Sequence, residues 1–541
     1  MSAWGKRSSL RSCDALLGRV EANDPSLIDL AILPLKTFTS DDCLRLASAI
    51  RSNGTGGHLR SIHASGHAVS TEALQALGTA IACTGTIVSL AIGDAQMGDE
   101  GIEALCRGLS YVYTHEQDPA SLPPHSPVPS LQVLDLSYKG ASNGAMRAIG
   151  ECLATERHSS LISLDLSRNE GIGENGGIDA LLEAFGLACS RISSGDNDAS
   201  GCCVAFRHLR TLNLAQCSMG FACANKLVSL LLANVKANVK ANDKPIDDGG
   251  DDKPIDGGDD TDIDNTSTIA RSRLELVMNS NPIGSNGCKS IGSLLSQEGL
   301  SVLSSLSMVE CNVGNDGVSA LVEAAKGGGG CSGLVTLDLS SNQITREGAT
   351  ILSAALAVEN GTALLSSLRE LRLSENDIGG EGVGSICRTL VQAPQWKGDD
   401  DDESGSNRTL SILELCKTNC GAIGVAAAIK CGALKKLRLF GNRMGSPGII
   451  AAAPLLRGGH PSLVELDVGG NDAKEEAVEN LLSEIIAIDI DHSFDSTLLI
   501  LEIGGNEIGE SVELALKDLK AVRPELDVAR DKPKTNNSHQ A

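Results

Sequence analysis

Aromatic residues are scarce in this chain. Phe, Trp and Tyr account for 2 % of its 541 residues, whereas hydrophobic residues as a whole account for 41 %. A core built around large rings is therefore excluded, and Leu, Ile, Val and Ala must fill the interior. Small aliphatic cores are expected where similar layers repeat along a chain, so the length does not imply several separate domains.

Positive charge is also in deficit. The 45 Lys and Arg residues face 69 Asp and Glu residues, which gives a formal net charge of −24. Phosphate backbones and anionic membrane surfaces repel such a chain, so we predict neither a nucleic-acid partner nor a membrane partner. A basic protein partner is expected instead, with the chain itself as a monomer.

Paired cysteine motifs and long apolar runs are missing as well. None of the 17 cysteines belongs to a C-x-x-C pair, so neither a zinc site nor a disulfide framework is predicted. Small buried thiols fit a reducing compartment. No run approaches the roughly 18 apolar residues of a membrane span, and the N-terminus lacks the apolar core of a secretory signal. These absences favour a cytoplasmic location, with the nucleus as the alternative.

Residues 333–361 show what the chain does contain, which is a repeating unit. A short strand closed by an asparagine turn is predicted by the L-x-x-L-x-L-x-x-N-x-I pattern of Leu334, Leu337, Leu339, Asn342 and Ile344. The second half carries apolar residues at the spacing of one helical face. Neither half buries its apolar side alone, so the unit must stack on copies of itself.

Fourteen such units are predicted, which makes the fold class α/β, a solenoid of leucine-rich repeats with parallel strands. The units start at Leu27, Leu59, Ile87, Leu131, Leu161, Leu209, Arg273, Leu303, Leu334, Leu368, Leu410, Leu434, Leu463 and Leu498. The ninth position forms a ladder of Asn169, Asn281, Asn342, Asn376, Asn442, Asn471 and Asn506, with Cys217, Cys311 and Thr418 in the same place. We expect this ladder to satisfy backbone groups of the turns, and we assign it no chemistry.

The units divide the chain into three parts. Residues 1–26 are predicted to form an N-terminal helical cap, residues 27–522 the solenoid, and residues 523–541 a flexible tail. Insertions near 110–129, 190–206, 233–270 and 391–408 fall between a helix and the next strand. We predict that these insertions are disordered, the third and fourth because they are rich in Asp and Gly.

Catalytic and metal-binding motifs are not convincing anywhere. Residues 260–264 have the D-x-D-x-D start of a calcium loop but lack the glycine and glutamate that should follow. His58, His63 and His67 are close in sequence, but by register His63 faces outward while His67 takes the ladder position. No nucleotide-binding glycine motif or G-x-S-x-G motif is defensible. We therefore expect no cofactor, no metal and no enzyme activity.

The outward-facing positions of the strands, the third, fifth and seventh of each unit, carry acidic residues among many Ser, Thr and Gly. They include Asp135, Asp165, Asp338, Glu370, Glu414, Glu465, Asp467 and Glu502. The tenth to twelfth units add Arg372, Lys436, Arg438 and Phe440. Because binding sites tend to centre on arginine and aromatic anchors, we predict a protein-binding patch of Arg372, Glu414, Lys436, Arg438 and Phe440. The alternative is an ordinary solvated face whose opposite charges pair between strands.

Three stretches carry a resemblance to a known family: residues 334–356, 368–390 and 161–173. The chain resembles the ribonuclease-inhibitor-like leucine-rich repeats over about residues 27–522. That family includes ribonuclease inhibitor, the Ran GTPase-activating proteins and the repeat domains of NOD-like receptors. The resemblance implies a horseshoe with strands on the concave face and helices on the convex face, and binding of proteins on the concave side or its rims.

Two functions follow from these observations. The first is a non-enzymatic interaction module or scaffold that binds a protein partner on its acidic concave face. The alternative, implied by the resemblance, is a GTPase-activating protein for a Ran-like small GTPase. A turnover assay separates them, because a binder leaves GTP hydrolysis unchanged and an activator accelerates it.

Overall fold

A computed structural model describes the fold of thirteen stretches of the chain. These are residues 12–111, 131–154, 160–184, 209–242, 273–295, 302–326, 333–359, 362–363, 365–392, 410–431, 434–457, 459–487 and 496–530. The predicted insertions, the start of the predicted cap and the candidate calcium loop lie almost wholly outside them. Within the described stretches, no helix combines the length and the apolar character needed to cross a bilayer.

The chain folds as two compact units. The first comprises residues 1–213 and 229–274, and the second comprises residues 214–228 and 275–541. The described strands of the first unit are parallel and pair in chain order: β1 (Asp29–Ala31), β2 (Ser61–Ser65), β3 (Ser89–Gly93), β4 (Val133–Asp135), β5 (Ser163–Asp165) and β6 (Thr211–Asn213). Its described helices are Asp14–Glu21, Ser40–Asn53, Thr71–Thr84, Gly98–Leu109, Asn143–Leu153 and Gly171–Glu174, with residues 177–184 also helical.

The second unit repeats the same arrangement. Its strands are β7 (Leu274–Val277, whose first residue belongs to the first unit), β8 (Leu303–Ser307), β9 (Thr336–Asp338), β10 (Glu370–Arg372), β11 (Ile412–Glu414), β12 (Lys436–Arg438), β13 (Glu465–Asp467), β14 (Ile500–Glu502) and β15 (Asp527–Ala529). From β8 onward these strands pair in parallel and in chain order, and a separate short antiparallel pair joins Val358–Glu359 to Thr362–Ala363. Its described helices are Gly284–Leu295, Gly314–Lys326, Arg346–Leu356, Gly379–Gln392, Gly421–Ile429, Gly445–Ala452, Glu475–Ile486 and Glu510–Val522.

These elements confirm the predicted fold class of leucine-rich-repeat solenoid. Each of the fourteen predicted units contains one strand that includes its third to fifth positions. The middle residue of the strand is buried, as Leu337, Leu371 and Leu413 show. Most of its neighbours on the strand are partly exposed, whereas Asp338 is buried. Leu337 and the helix residue Leu352 line the same small apolar cavity of about 20 Å³, so the buried side of the strand faces the helices.

Glycine at the helix starts permits close stacking, as predicted. In the helix Gly379–Gln392, a Cβ added at Gly382 would lie 2.6 Å from Ile378 Cγ2 and 3.1 Å from Ala349 Cβ. Both distances are shorter than carbon atoms tolerate without a shift of the neighbours. Any larger residue at Gly382 would therefore push this helix away from the helix of the preceding repeat.

The predicted ladder is confirmed by its hydrogen bonds. Asn442, which is fully buried, accepts hydrogen bonds at Oδ1 from the backbone N–H groups of Thr418 (2.8 Å) and Cys420 (3.3 Å). Its Nδ2 donates to the carbonyl oxygens of Leu415 (2.7 Å) and Leu439 (3.0 Å). Each ladder amide thus holds its own turn to the turn of the preceding repeat, which is a structural role.

Two boundaries differ from the prediction. The strand β15 pairs with β14 inside the segment predicted as a flexible tail, so the repeat array continues beyond residue 522. The helix Phe221–Asn242 extends into the segment predicted as the third insertion. Both differences have one cause: leucine spacing marks full repeat units, whereas a terminal strand or a lengthened helix lacks the full pattern.

Candidate protein-binding surface

The side of the strands that faces away from the helices carries the charged residues predicted to bind a partner. We call this side, formed by the third, fifth and seventh positions of each repeat, the open sheet face. In the second unit its fifth positions are in register from strand to strand: Asp338, Arg372, Glu414, Arg438, Asp467 and Glu502. The structure therefore brings the predicted residues Arg372, Glu414 and Arg438 side by side.

Aspartate recurs at the fifth position because it closes the turn that follows. A carboxylate oxygen accepts a hydrogen bond of 2.8 to 3.0 Å from the backbone N–H two residues further on at Asp135, Asp165, Asp338 and Asp467. Ten of the fourteen repeats carry another residue at this position, and three of these lie on the successive strands β10 to β12. Their residues Arg372, Glu414 and Arg438 make no such bond in the described structure, so support of the turn does not explain their presence.

Arg372 is held by carboxylates on its own strand and on both neighbours. Its Nη2 lies 2.5 Å from Glu370 Oε1, its Nη1 3.7 Å from Asp338 Oδ2, and its Nε 3.8 Å from Glu414 Oε2. Burial alone would lower the pKa of Arg372, but attraction by Glu414 and Glu370 outweighs it and raises the pKa. The side chain is fixed while 38 % of it stays exposed.

Arg438 and Lys436 share the carboxylate of Glu465 on the next strand. Arg438 Nη2 lies 3.0 Å from Glu465 Oε1, and Lys436 Nζ lies 2.9 Å from Glu465 Oε2. Arg438 also reaches Glu414 Oε1 at 3.6 Å, so Glu414 lies between the two arginines. Burial alone would raise the pKa of Glu465, but hydrogen bonds from Lys436 and Arg438 outweigh it and hold the pKa below its usual range.

Phe440 follows β12 in the turn and is half-buried. Its ring lies against Gly470 in the next repeat, where an added Cβ would come 2.6 Å from Phe440 Cζ. Gly470 also has a φ of +63°, and its lack of a side chain leaves the space that the ring occupies. The ring is therefore a rigid apolar group at the end of the charged row.

The charged row ends in two carboxylates. Asp467 is 4 % exposed, and its neighbour in register, Glu502, is also acidic. Burial, the charge of Glu502 and the charge of Glu465 raise the pKa of Asp467 to about 6, against the opposing effects of the Gly469 N–H and Arg438. Negative and positive residues alternate along the rest of the row. Asp467 and Glu502 are therefore the point at which the row carries an excess of negative charge.

Sequence reasoning missed an exposed aromatic residue in the first unit. Tyr138, at the eighth position of its repeat, is 60 % exposed and has a φ of 55°. The L-x-x-L-x-L pattern assigns outward faces only to the third, fifth and seventh positions, so it gave no reason to examine the eighth. The signal available in the sequence was a large aromatic residue at a place where other repeats mostly carry glycine or polar residues.

The histidines lie where the register predicted. His63 is exposed on β2, whereas His67 is buried, with Nε2 3.2 Å from the carbonyl oxygen of Ile32 and its ring edge-on to Phe38. The two side chains therefore do not converge on a common ligand. Across the described stretches, no group of three or more His, Cys, Asp or Glu side chains is arranged to hold a metal ion.

Known proteins share this repeat. Four stretches, residues 86–106, 299–322, 330–353 and 365–387, match a family model described as Leucine Rich repeat. Ribonuclease inhibitor from Mus musculus is 28 % identical over 247 residues, which are 39 % of this chain and 49 % of that protein. The chain thus spans about half the length of this relative.

Two solved structures align over most of the chain. An internalin (inlF) from Listeria monocytogenes str. 4b F2365 covers 96 % of this chain and 89 % of its own, with 12 % identity and a TM-score of 0.35. TLR13 in complex with ssRNA13 covers 94 % and 66 %, with 16 % identity and a TM-score of 0.32. At these scores we draw nothing further from either alignment.

The repeats and the amide ladder define the fold class as a leucine-rich-repeat solenoid, and four stretches of the chain match the Leucine Rich repeat family model. Within that class, the matched repeats and the similarity to the mouse protein support the ribonuclease-inhibitor-like family that the sequence resembled.

Proposed function

We propose that the chain is a non-enzymatic interaction module that binds a basic protein partner on its acidic open sheet face. The observation that carries the proposal is the row of charged residues Arg372, Glu414 and Arg438, which are in register at the fifth position of three successive strands. These residues do not support the turn, yet they lie together with Lys436 and Phe440 on an accessible face. We assign the protein contact of the second unit to these five residues.

The arrangement suits recognition because the side chains are fixed before a partner arrives. Ion pairs hold both arginines in one geometry, so little rotamer entropy is lost when a partner adds contacts to their exposed parts. The ring of Phe440 supplies a rigid apolar contact beside them. The net charge of −24 steers a positively charged partner toward the chain.

The mouse relative is named for inhibition of a ribonuclease, and a basic enzyme is one partner that fits an acidic face. We propose that the chain acts in the cytoplasm or nucleus as a monomer. Activation of a Ran-like GTPase stays the alternative, and the experiment below includes an arm for it.

Affinity capture from a cytosolic extract at low and high salt, using the full chain, tests the proposal. We expect salt-sensitive retention of a basic protein, and about tenfold weaker binding of that protein to the Phe440→Ala variant. Ile423→Ala is the matched control, because Ile423 is an apolar side chain 74 % exposed on the helix Gly421–Ile429.

Three outcomes decide between the readings. Equal binding of both variants to the captured protein would remove the Phe440 patch from the contact. Capture of acidic or uncharged proteins alone, insensitive to salt, would overturn the proposal as a whole. If a GTPase is captured and substoichiometric amounts of the chain raise its GTP hydrolysis, the alternative function of GTPase activation would replace the proposal.

A further inference from the structure

We propose that the exposed side of two neighbouring helices in the second unit, Gly421–Ile429 and Gly445–Ala452, binds an acidic amphipathic helix of a partner protein. We call this contact the apolar helix face, and it consists of Ile423, Ala426, Ala427, Pro447, Ile450 and Ala451. The inference goes beyond the proposed function, because the face lies on the helices rather than on the open sheet face and takes a partner of opposite charge.

The two helices carry no charged residue. Gly421–Ile429 and Gly445–Ala452, nine and eight residues long, contain only Gly, Ala, Ile, Val, Ser and Pro. A surface helix ordinarily has a charged or polar exposed side, whereas a helix that is apolar all round is ordinarily covered. Here the exposed side is open, because Ile423 is 74 % exposed and Ile450 is 51 % exposed. Exposed apolar residues that are grouped in this way mark a surface for interaction.

The repeat itself does not require apolar residues at these places. Ile423 and Pro447 each come directly before a buried small residue in the first turn of the helix. In the helices on either side, the same exposed position holds Glu381 and Glu476. A carboxylate in the first turn is stabilised by the helix dipole, and an exposed isoleucine gains nothing comparable. Folding therefore does not explain why Ile423 stands where its neighbours have glutamate.

The exposed residues of the two helices lie side by side. An added Cβ at Gly448 would be 3.4 Å from Ala422 Cα, so the helices are in direct contact. Ala426 and Ile450 hold equivalent positions, each two residues after a buried glycine. Most of the exposed side chains are small, so the backbone of a third helix can approach closely.

Positive charge borders the apolar helix face, although the whole chain is acidic. Residues 410–457 contain seven Lys and Arg residues and one acidic residue, Glu414, which gives a net charge of +6 in a chain of net charge −24. Lys430 directly follows the first helix, and Arg457 follows the short 3₁₀ turn that continues the second. Arg457 lies 3.6 Å from Glu484, whereas within the described stretches no carboxylate oxygen is within 4.0 Å of Lys430 Nζ.

This border decides which occupant the face takes. Charges more than roughly 8 Å away are screened at physiological salt, so nearby cations act on a partner more than the distant excess of acid does. A second copy of the chain would bring the same cations against its own. An extended anionic membrane would also meet the exposed Glu381 and Glu476 on either side. A single helix, about 10 Å in diameter, fits between them, and acidic residues beside its apolar side match Lys430 and Arg457.

The test uses the full chain and a fluorescein-labelled helical peptide with leucine on one side and glutamate on the other. Ile423→Glu restores the carboxylate of the neighbouring helices, so its melting temperature should equal or exceed that of the wild type. We expect it to bind the peptide about tenfold more weakly in fluorescence anisotropy, because an apolar contact is lost and glutamate is repelled. Leu514→Glu is the matched control, since Leu514 is 61 % exposed on the helix Glu510–Val522 of the same unit.

Two further variants separate the apolar contact from the charge. Ile450→Ser removes the second large apolar residue without adding charge, and it should also weaken binding of the peptide severalfold. Lys430→Gln should weaken binding at low salt and have little effect at high salt. A peptide with lysine in place of glutamate should bind the wild type much more weakly than the glutamate peptide does.

Each outcome supports the inference or overturns it. Unchanged affinity in both Ile423→Glu and Ile450→Ser, or an equal loss in Leu514→Glu, would overturn the apolar helix face. Equal binding of the glutamate and lysine peptides would do the same. Failure of the wild type to bind the glutamate peptide, with or without binding to vesicles of phosphatidylcholine and phosphatidylserine, would remove the acidic helix as the occupant. The proposed function is tested separately, because these variants should leave capture of a basic partner on the open sheet face unchanged.

Discussion

The open sheet faces of the two units differ in whether their carboxylates form close ion pairs. In the second unit, Arg372 and Arg438 each contact two or more carboxylates within 4 Å. In the first unit, Asp135 and Asp165 lie in register with no described cation nitrogen within that distance. The same repeat thus presents close ion pairs on the face of one unit, whereas in the other the carboxylates make no close ion pair and interact with the buried charge of Lys139.

We call the residues that hold the repeats together the frame of the protein. The difference between the two faces distinguishes this frame from the exposed sheet face. Ladder amides, buried leucines and helix-start glycines recur in both units, because every repeat needs them to stack. The fifth position is under no such requirement once the turn has another support. We infer that the second unit uses this freedom for a rigid patch with Phe440, whereas Asp135 and Asp165 of the first unit accept hydrogen bonds from the turns that follow their strands.

The largest expected effect concerns the ladder amides. It tests whether both units depend on the same hydrogen bonds of the frame. Asn169→Ala in the first unit leaves the backbone N–H groups of Lys139 and Ala141 without their 2.9 Å acceptor. Asn442→Ala in the second does the same to Thr418 and Cys420. Because buried unsatisfied groups are costly, each variant should lower the free energy of unfolding by roughly 3 kcal/mol in urea titrations.

Asn480→Ala is the control for this pair, because Asn480 is exposed on the helix Glu475–Ile486 and should change the unfolding free energy by less than about 0.5 kcal/mol. If one ladder variant costs much less than the other, the two units do not share one frame. The comparison between their faces would then lose its basis.

A smaller effect concerns the pKa of Asp467 on the open sheet face of the second unit. The pKa of Asp467 rises from 3.8 to about 6 on folding, chiefly through burial and then through Glu502. A raised carboxyl pKa means that the stability contributed by Asp467 is full below about pH 4 and is lost as the pH rises through 6. Asp467→Asn keeps an oxygen for the Gly469 N–H and should be about 2 kcal/mol more stable than the wild type at pH 8, with the advantage gone near pH 4.

Chemical denaturation at several pH values measures this difference. Asp518→Asn makes the same change of charge at an exposed place on the helix Glu510–Val522, so it controls for the overall charge of the chain. An Asp467→Asn advantage that is flat with pH, or equal to that of Asp518→Asn, would show that acidic crowding at the end of the row is unimportant.

The sequence predicted the frame well for a physical reason. Each repeat must bury the same leucines and satisfy the same turn, so position in the pattern determines burial, and the strands fall within every predicted unit. It also predicted that Arg372, Glu414 and Arg438 would be neighbours, because parallel strands in register align equivalent positions.

What the sequence could not supply depends on contacts rather than on spacing. Spacing gives the register of Arg438 but not its hydrogen bonds to Glu465, which decide whether its charge is neutralised. The left-handed turn at Tyr138 recurs at the eighth position of neighbouring repeats, as at Arg168 and Gln216, but leucine spacing does not reveal it. The terminal strand β15 was missed because an end strand lacks the full repeat.

The most direct test of the central contrast is the salt dependence of the unfolding free energy in two double variants. Asp94→Asn with Asp165→Asn removes two carboxylates from the first unit, and Glu370→Gln with Glu414→Gln removes two from the second. Both change the net charge equally, so long-range repulsion affects them alike. We predict that the second pair lowers the unfolding free energy more, and that salt reduces its effect, because Glu370 and Glu414 lie within 4 Å of arginine nitrogens. An equal or larger salt-sensitive loss in the first pair would contradict the account.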